Sequence, residues 1–168
     1  MFDVLIRGGR IIDGSGSPWY YGDIGILGDR ITAIGKLEPA EARRVIEAEG
    51  RVVCPGFIDM HTHSDIMPLA NPKHEPKIRQ GVTTDLIGLD GLSYAPLSPT
   101  NLQMMRRYLS GLDGDPDIAW DWSSVSEYLT RFDRQIAINV AYLVPHNALR
   151  LEVMGFADRT ATAEELAK

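Results

Sequence analysis

Residues 55–65, PGFIDMHTHSD, place two histidines one residue apart directly after a short apolar run. In an extended strand, residues two apart point to the same face, so Asp59, His61 and His63 are expected on one face. Imidazoles that converge beside carboxylates can hold a divalent cation such as zinc. The stretch therefore predicts a metal site at the carboxyl end of a strand. The alternative interpretation is a pair of polar residues where a strand meets a turn.

Strands and helices alternate after this stretch. The runs GVTTDLIG (residues 81–88) and IAINVAYLV (residues 136–144) are short, apolar and rich in β-branched residues. Such runs, like the one before His61, are typical of parallel strands that are buried on both faces. The order of strand, helix, strand, helices and strand predicts an α/β fold with a parallel sheet.

Helices are predicted between the last two strands and after them. Residues 101–111 place Leu102, Met105 and Leu109 on one helical face, with Gly111 as the C-cap. Two capping boxes are expected, Ser124 with Glu127 and Thr162 with Glu165. The chain stops at Lys168, soon after the second of these helix starts, and this ending predicts a second polypeptide that completes the fold.

The part of the chain before Pro55 has a different pattern. Short alternating runs separated by glycines predict four or five short strands, in a sheet built from hairpins and not from a βαβ unit. The domain boundary is therefore expected between residues 1–54 and 55–168.

Composition limits the classes of function. The 168 residues carry a net charge of −6 without a basic cluster, so nucleic acid is not an expected partner. The N-terminus lacks a basic start followed by an apolar region, and no apolar run is long enough to span a membrane. A soluble, cytoplasmic protein is expected. The single cysteine, Cys54, excludes an internal disulfide and is expected to be a buried structural thiol.

Four blocks resemble a known family. VVCPGFIDMHTHSD (residues 52–65) resembles the first barrel strand of the amidohydrolase superfamily, with its metal-binding histidine pair. IRQGVTTDLIGLDGLSYAPLSP (residues 78–99), DIAWDWSSVSEYLTRFD (residues 117–133) and INVAYLVPHNALRLEVMG (residues 138–155) are similar to the N-acyl-D-amino-acid deacylase, or D-aminoacylase, family. The resemblance covers essentially the whole chain.

The resemblance implies a fold and an activity. The fold is the N-terminal part of a (β/α)8 TIM-like barrel, about its first three strands, preceded by a small β-sandwich domain. The activity is metal-dependent hydrolysis of the amide of N-acyl-D-amino acids by metal-activated water, with one or two divalent ions, zinc first among them. The general base and further histidine ligands are expected outside this chain, so the chain alone is expected to be inactive.

The resemblance also assigns residues to the metal. His61 and His63 fall on the metal ligands of the first strand. Asp90 falls where D-aminoacylases usually have a cysteine ligand, and it either binds the metal or supports a ligand. A carboxylate is a harder ligand than a thiolate and tolerates other divalent ions.

The remaining candidates lie around these ligands. Asp65 and Asp59 are expected near the metal, with Asp65 orienting a neighbouring side chain. Ser93 and Tyr94 follow the second strand and are candidates for support of the site or contact with substrate. His146 either faces the barrel mouth or caps a helix. Two further predictions concern residues outside the site: His74 is expected to be exposed, and Trp120 and Trp122 are expected to pack in the core.

Two other functions compete with the first. A cyclic amidohydrolase of the dihydroorotase or hydantoinase type would share the histidine pair, and the substitution at Asp90 keeps this alternative open. A non-catalytic binding or assembly subunit is the second alternative. The acidic residues and histidines retained at positions 59 to 65 argue against it.

Overall fold

The computed structural model of the chain describes residues 1–39 and 42–168. Their backbone separates into two units, Met1–Pro55 and Gly56–Lys168. Each unit contains one sheet, with five strands in the first and three in the second. No helix in these described ranges is long and apolar enough to cross a membrane.

The sheet of the first unit mixes antiparallel and parallel pairs. Its strands are β1 (Phe2–Ile11), β2 (Tyr20–Leu27), β3 (Arg30–Gly35), β4 (Ala42–Glu47) and β5 (Val52–Val53). The β1–β2 and β2–β3 pairs are antiparallel, and Gly28 supplies the positive φ of 60° between β2 and β3. However, β4 and β5 both pair with β1 in parallel. The prediction of a sheet built only from hairpins is therefore wrong for these two strands.

Cys54 follows the last strand of this sheet and is exposed. Pairing between β5 and β1 ends at Val53, so Cys54 already lies beyond the ladder. The prediction of a buried thiol is wrong, because the apolar run that suggested burial forms a strand of only two residues.

Three parallel strands form the sheet of the second unit, in the order β6 (Phe57–Asp59), β7 (Val82–Ile87) and β8 (Asn139–Tyr142). The predicted parallel α/β arrangement is confirmed. Burial of β6 on both faces is not observed, since Phe57 and Ile58 are 56% and 59% exposed. In the described ranges β6 pairs only with β7, which leaves it at the edge of the sheet.

The helices of the second unit follow the predicted pattern with one correction. They are α1 (Met67–Ala70), α2 (Glu75–Ile78), α3 (Pro99–Asp113), α4 (Val125–Thr130), α5 (His146–Met154) and α6 (Ala163–Leu166). Both predicted capping boxes are present, at the starts of α4 and α6. The predicted apolar face of α3 is buried. This helix continues through Gly111 and ends at Gly114, whose φ of 77° is left-handed, so the predicted C-cap was three residues early.

Aromatic side chains fill the centre of the second unit. Tyr128 is fully buried, and its ring centroid lies 5.1 Å from that of Trp122 and 5.4 Å from that of Tyr142. The Trp120 and Trp122 rings lie 5.4 Å apart, which confirms their predicted role in packing. Each such pair contributes about 0.5–1.5 kcal/mol beyond the area that it buries. Ile87 of β7 belongs to this core, and Val140 and Tyr142 of β8 pack against it.

Candidate metal centre

His61 and His63 lie just beyond the end of their strand. Strand β6 ends at Asp59, so both histidines belong to the loop that follows and not to the strand itself. Their side chains nevertheless converge on one acceptor. His61 Nε2 lies 3.1 Å from Asp90 Oδ2, and His63 Nε2 lies 3.2 Å from the same oxygen. The structure therefore brings together the three residues that the sequence predicts as metal ligands.

The loop after β7 positions Asp90. Gly88 ends this strand with a φ of 83°, and a Cβ at this position would lie 2.0 Å from the carbonyl oxygen of Leu143. Asp90 itself has a φ of 56° and a ψ of 17°, within a 3-10 turn, Leu89–Gly91. A left-handed conformation costs an ordinary residue about 1–2 kcal/mol, although aspartate tolerates it better than most. The fold thus holds an uncommon backbone conformation at the residue that both histidines contact.

The donor set fits a divalent cation. Zinc binds imidazole nitrogen at about 2.0–2.1 Å, so neighbouring ligand atoms around a tetrahedral ion lie about 3.3 Å apart. The two nitrogen-to-oxygen distances, 3.1 and 3.2 Å, are close to this value. The His61 and Asp90 side chains are 62% and 55% exposed, which leaves the cluster open to an ion and to a small molecule.

Two buried carboxylates lie behind His63. Ligand atoms of His63, Asp65 and Asp113 all lie within 4.8 Å of one another. Asp65 is 1% exposed and accepts a hydrogen bond of 3.0 Å from the Gly88 N–H, while Asp113 accepts one of 2.8 Å from the Tyr94 hydroxyl. Burial raises the pKa of Asp65 to about 7 and also raises the pKa of Asp113. Both carboxylates lie close enough to the His63 imidazole to influence its orientation.

The two candidates after the second strand are less accessible than a contact with substrate requires. Ser93 and Tyr94 are fully buried. Tyr94 donates its hydroxyl proton to Asp113, as described above, and Trp122 Nε1 donates to the Tyr94 carbonyl at 3.0 Å. The position of Tyr94 favours support of Asp113, whereas Ser93 Oγ has no hydrogen-bond partner within the described residues.

Asp59 faces a lysine and does not join the three converging groups. Lys77 Nζ forms an ion pair with Asp59 Oδ2, and the His61 N–H donates to Asp59 Oδ1 at 3.1 Å. The hydrogen bond from Lys77 lowers the pKa of Asp59 below its usual value. Asp59 therefore remains anionic and contacts the backbone of one of the two histidines.

The other two histidines have contrasting positions. His74 is only 6% exposed, and its Nε2 lies 3.2 Å from Oδ2 of the fully buried Asp85. The prediction of an exposed His74 is wrong, because the buried carboxylate of Asp85 takes this imidazole as its partner. His146 begins α5, is exposed, and has its Cβ 3.4 Å from the position of a Cβ on Gly91. It thus lies beside the Asp90 turn, and its function stays a prediction.

Comparison with known proteins agrees with this geometry. A model of the amidohydrolase family matches residues 44–167, which include all three converging side chains. The chain belongs to the amidohydrolase family. The family match begins within β4 and extends just past the end of α6.

Among the similar proteins, this amidohydrolase chain is 41% identical to D-aminoacylase of Alcaligenes xylosoxydans xylosoxydans over 167 residues, 99% of this chain and 34% of the relative. A solved D-aminoacylase, studied for its binuclear metal centre, has a TM-score of 0.82 at 40% identity over 99% of this chain and 34% of that one. N-acyl-D-glutamate deacylase from Bordetella bronchiseptica, solved with zinc and a phosphonate mimic of the tetrahedral intermediate, has a TM-score of 0.83 at 37% identity over the same shares. The chain spans about a third of the length of these proteins.

Sequence reasoning missed two residues near the candidate metal ligands, Asp113 and Lys77. Asp113 occupies the last turn of α3, where the helix dipole disfavours a negative charge. An aspartate at this unfavourable position could have indicated that Asp113 has a role other than stabilising the helix. Lys77 gave no such signal, since a basic residue in the last turn of α2 is ordinary.

Proposed function

We propose that this chain is the N-terminal part of an enzyme that hydrolyses the amide bond of N-acyl-D-amino acids. The observation that carries the proposal is the convergence of His61 and His63 on Asp90 from the ends of neighbouring parallel strands. The named relatives support the substrate class and favour it over cyclic amides. In this proposal, residues 55–168 supply the first three strands of a (β/α)8 barrel, and residues 1–54 supply part of a small β-sandwich.

His61, His63 and Asp90 would hold a divalent cation, for which we propose zinc. When bound, such an ion supplies Lewis acidity to the amide carbonyl and to an attacking water. The three side chains bring two neutral donors and one negative charge to the ion. A carboxylate in this position leaves less positive charge at the centre than a third imidazole would.

The buried groups behind His63 would fix its orientation. Ligand atoms of Asp65 and Asp113 lie within 4.8 Å of that of His63, and the two carboxylates accept hydrogen bonds from the Gly88 N–H and the Tyr94 hydroxyl. A ligand whose rotamer is fixed in advance loses less freedom when it binds an ion. These residues therefore serve as positioning groups and do not contact the substrate.

Proton transfer to the leaving amine requires a general acid or base within hydrogen-bond reach. We assign this group to a part of the enzyme outside these 168 residues, either on the same polypeptide or on a second one. The share of the relatives that the chain covers, about a third, supports this assignment.

The test compares zinc content and deacylase activity of the whole enzyme with those of His61→Ala and Asp90→Asn. Loss of a residue that only supports a metal ligand lowers metal affinity about 10- to 100-fold. Both variants remove a ligand itself, so their zinc affinity is expected to fall by more than that. The matched control is Asp117→Asn, an exposed aspartate outside the cluster, which should keep both properties. Activity is measured on N-acetyl-D-amino acids with apolar and acidic side chains, beside their L-enantiomers.

Two results would contradict the proposal in different places. Unchanged zinc affinity in Asp90→Asn would remove Asp90 from the ligands and leave the activity standing. A wild-type enzyme that binds zinc but hydrolyses none of the D-substrates would overturn the substrate class.

A further inference from the structure

The ammonium group of Lys77 joins two strands and a loop. Lys77 lies on α2, and its side chain is 19% exposed. Its Nζ pairs with Asp59 Oδ2, donates to Thr62 Oγ1 at 2.9 Å, and lies 3.8 Å from Asp85 Oδ1. One side chain thus contacts the end of β6, the loop after it and the middle of β7.

Two carboxylates need a cation at this place. Asp59 and Asp85 are direct partners in the parallel pairing of β6 with β7, so their side chains emerge on the same face. Asp85 is fully buried, and its Oδ1 has no hydrogen-bond partner within the described residues. Like charges this close repel one another, and a buried carboxylate is costly without a partner. The ammonium group of Lys77 opposes both charges.

The contacts of Lys77 reach the backbone around the metal ligands. Asp59, which Lys77 holds, accepts the His61 N–H at 3.1 Å. Thr62, which accepts from Lys77 directly, stands between His61 and His63 in the chain. The segment from His61 to His63 lies outside any strand or helix, so its position depends on such contacts. Lys77 therefore attaches the loop on both sides of His61.

We infer that Lys77 is a positioning residue for the metal centre, which it serves by fixing the loop that carries His61 and His63. This inference rests on the proposed function, since it concerns the same ligands. Loss of the ammonium group would release both attachment points, and the loop would then have to be ordered by the ion itself. Metal affinity should fall because part of the binding free energy is spent on that ordering.

The test measures affinity for zinc by competition with a chelator of known affinity, on the whole enzyme. Lys77→Met keeps the length and the apolar stem but removes the charge, and its zinc affinity is expected to fall about 10- to 100-fold. Lys73→Met is the matched control, because Lys73 is an exposed lysine in the same segment, and its affinity should equal that of the wild type. Lys77→Arg should recover part of the loss, since it restores a donor with a positive charge.

A second readout separates positioning from a general loss of stability. The visible spectrum of the Co²⁺-loaded enzyme reports ligand geometry, and it should change in Lys77→Met but not in Lys73→Met. If Lys77→Met does not fold, Thr62→Val removes the contact of Thr62 with Lys77 at nearly constant shape, together with the 2.7 Å contact between Thr62 Oγ1 and Ser64 Oγ. That variant should show a smaller loss of affinity in the same direction.

The outcomes distinguish this inference from the function on which it rests. If the wild type binds zinc through His61 and Lys77→Met binds it equally well with the same Co²⁺ spectrum, Lys77 is not a positioning residue and the proposed function is untouched. If the wild type and His61→Ala bind zinc equally, the metal centre itself is wrong, and the inference about Lys77 is overturned with it.

Discussion

Replacing His74 by leucine should destabilise the second unit, because it removes the hydrogen-bonding partner of a buried carboxylate. His74 Nε2 and Asp85 Oδ2 lie 3.2 Å apart, and the two side chains are 8% and 0% exposed. A hydrogen bond to a charged group contributes about 1.5–3 kcal/mol, and breaking a buried pair on one side costs about 3–5 kcal/mol. Lys77 Nζ remains 3.8 Å from the other oxygen of Asp85. We therefore expect a loss near the lower end, about 3 kcal/mol.

The double variant His74→Leu/Asp85→Val should be more stable than the sum of its single changes predicts. Removing both partners leaves no unsatisfied buried charge, and apolar replacements of a buried pair are often close to neutral. A coupling of about 2 kcal/mol between the two positions is expected, against about 0.5 kcal/mol for independent sites.

Urea unfolding followed by tryptophan fluorescence measures these differences. Trp122 is 2% exposed and reports on the second unit, whereas Trp19 is 51% exposed in the first and is replaced by phenylalanine in every variant. A chelator is present throughout, so that bound metal does not contribute. The control is His146→Leu, a change of the same chemistry at an exposed histidine, expected within about 0.5 kcal/mol of the parent. If the losses in free energy of unfolding of the two single variants simply add up to that of the double variant, His74 and Asp85 do not behave as a coupled buried pair.

Three further measurements address other features. Burial raises the pKa of Asp65 to about 7, so the folded chain holds this proton to higher pH than the unfolded chain, whose aspartates titrate near about 4. The contribution of Asp65 to the stability of the metal-free protein should therefore fall as pH rises from about 4 to 7, by at most about 4 kcal/mol, and denaturant titrations of Asp65→Asn should show a smaller fall than the wild type, since Asp113, whose pKa is also raised, remains. Gly88→Ala should lower the melting temperature and zinc affinity together, because its Cβ would lie 2.0 Å from the Leu143 carbonyl oxygen, and normal values for both would refute the close contact. Iodoacetamide should label Cys54 in the native protein, as intact mass would show, and labelling only after denaturation would contradict its exposure.

Local patterns predicted the elements of the second unit because its helices and strands follow simple periodicities. The spacing of Leu102, Met105 and Leu109 was sufficient to predict the buried face of α3. Two capping boxes were visible as residues three apart, and the apolar runs marked the parallel strands. Each of these features depends on residues that are neighbours in the sequence or share one turn of a helix.

The features that were missed depend on contacts between distant parts of the chain. His74 is buried because its imidazole contacts Asp85 on β7, and no periodicity in its own segment indicates this. Asp113 comes close to His63 only because α3 ends behind the loop after β6. Parallel pairing of β4 with β1 likewise follows from the path of the chain and not from the pattern within either strand. Side-chain environment at these positions is a property of the assembled fold.

The chemistry of the three converging side chains determines how they would respond to peroxide. Peroxide converts thiolate ligands stepwise to sulfenic and then to sulfinic acids, and the second step is irreversible in most proteins. His61, His63 and Asp90 contain no sulfur, and the only cysteine of the sequence, Cys54, belongs to the other unit. Peroxide therefore finds no thiolate to convert among these three groups.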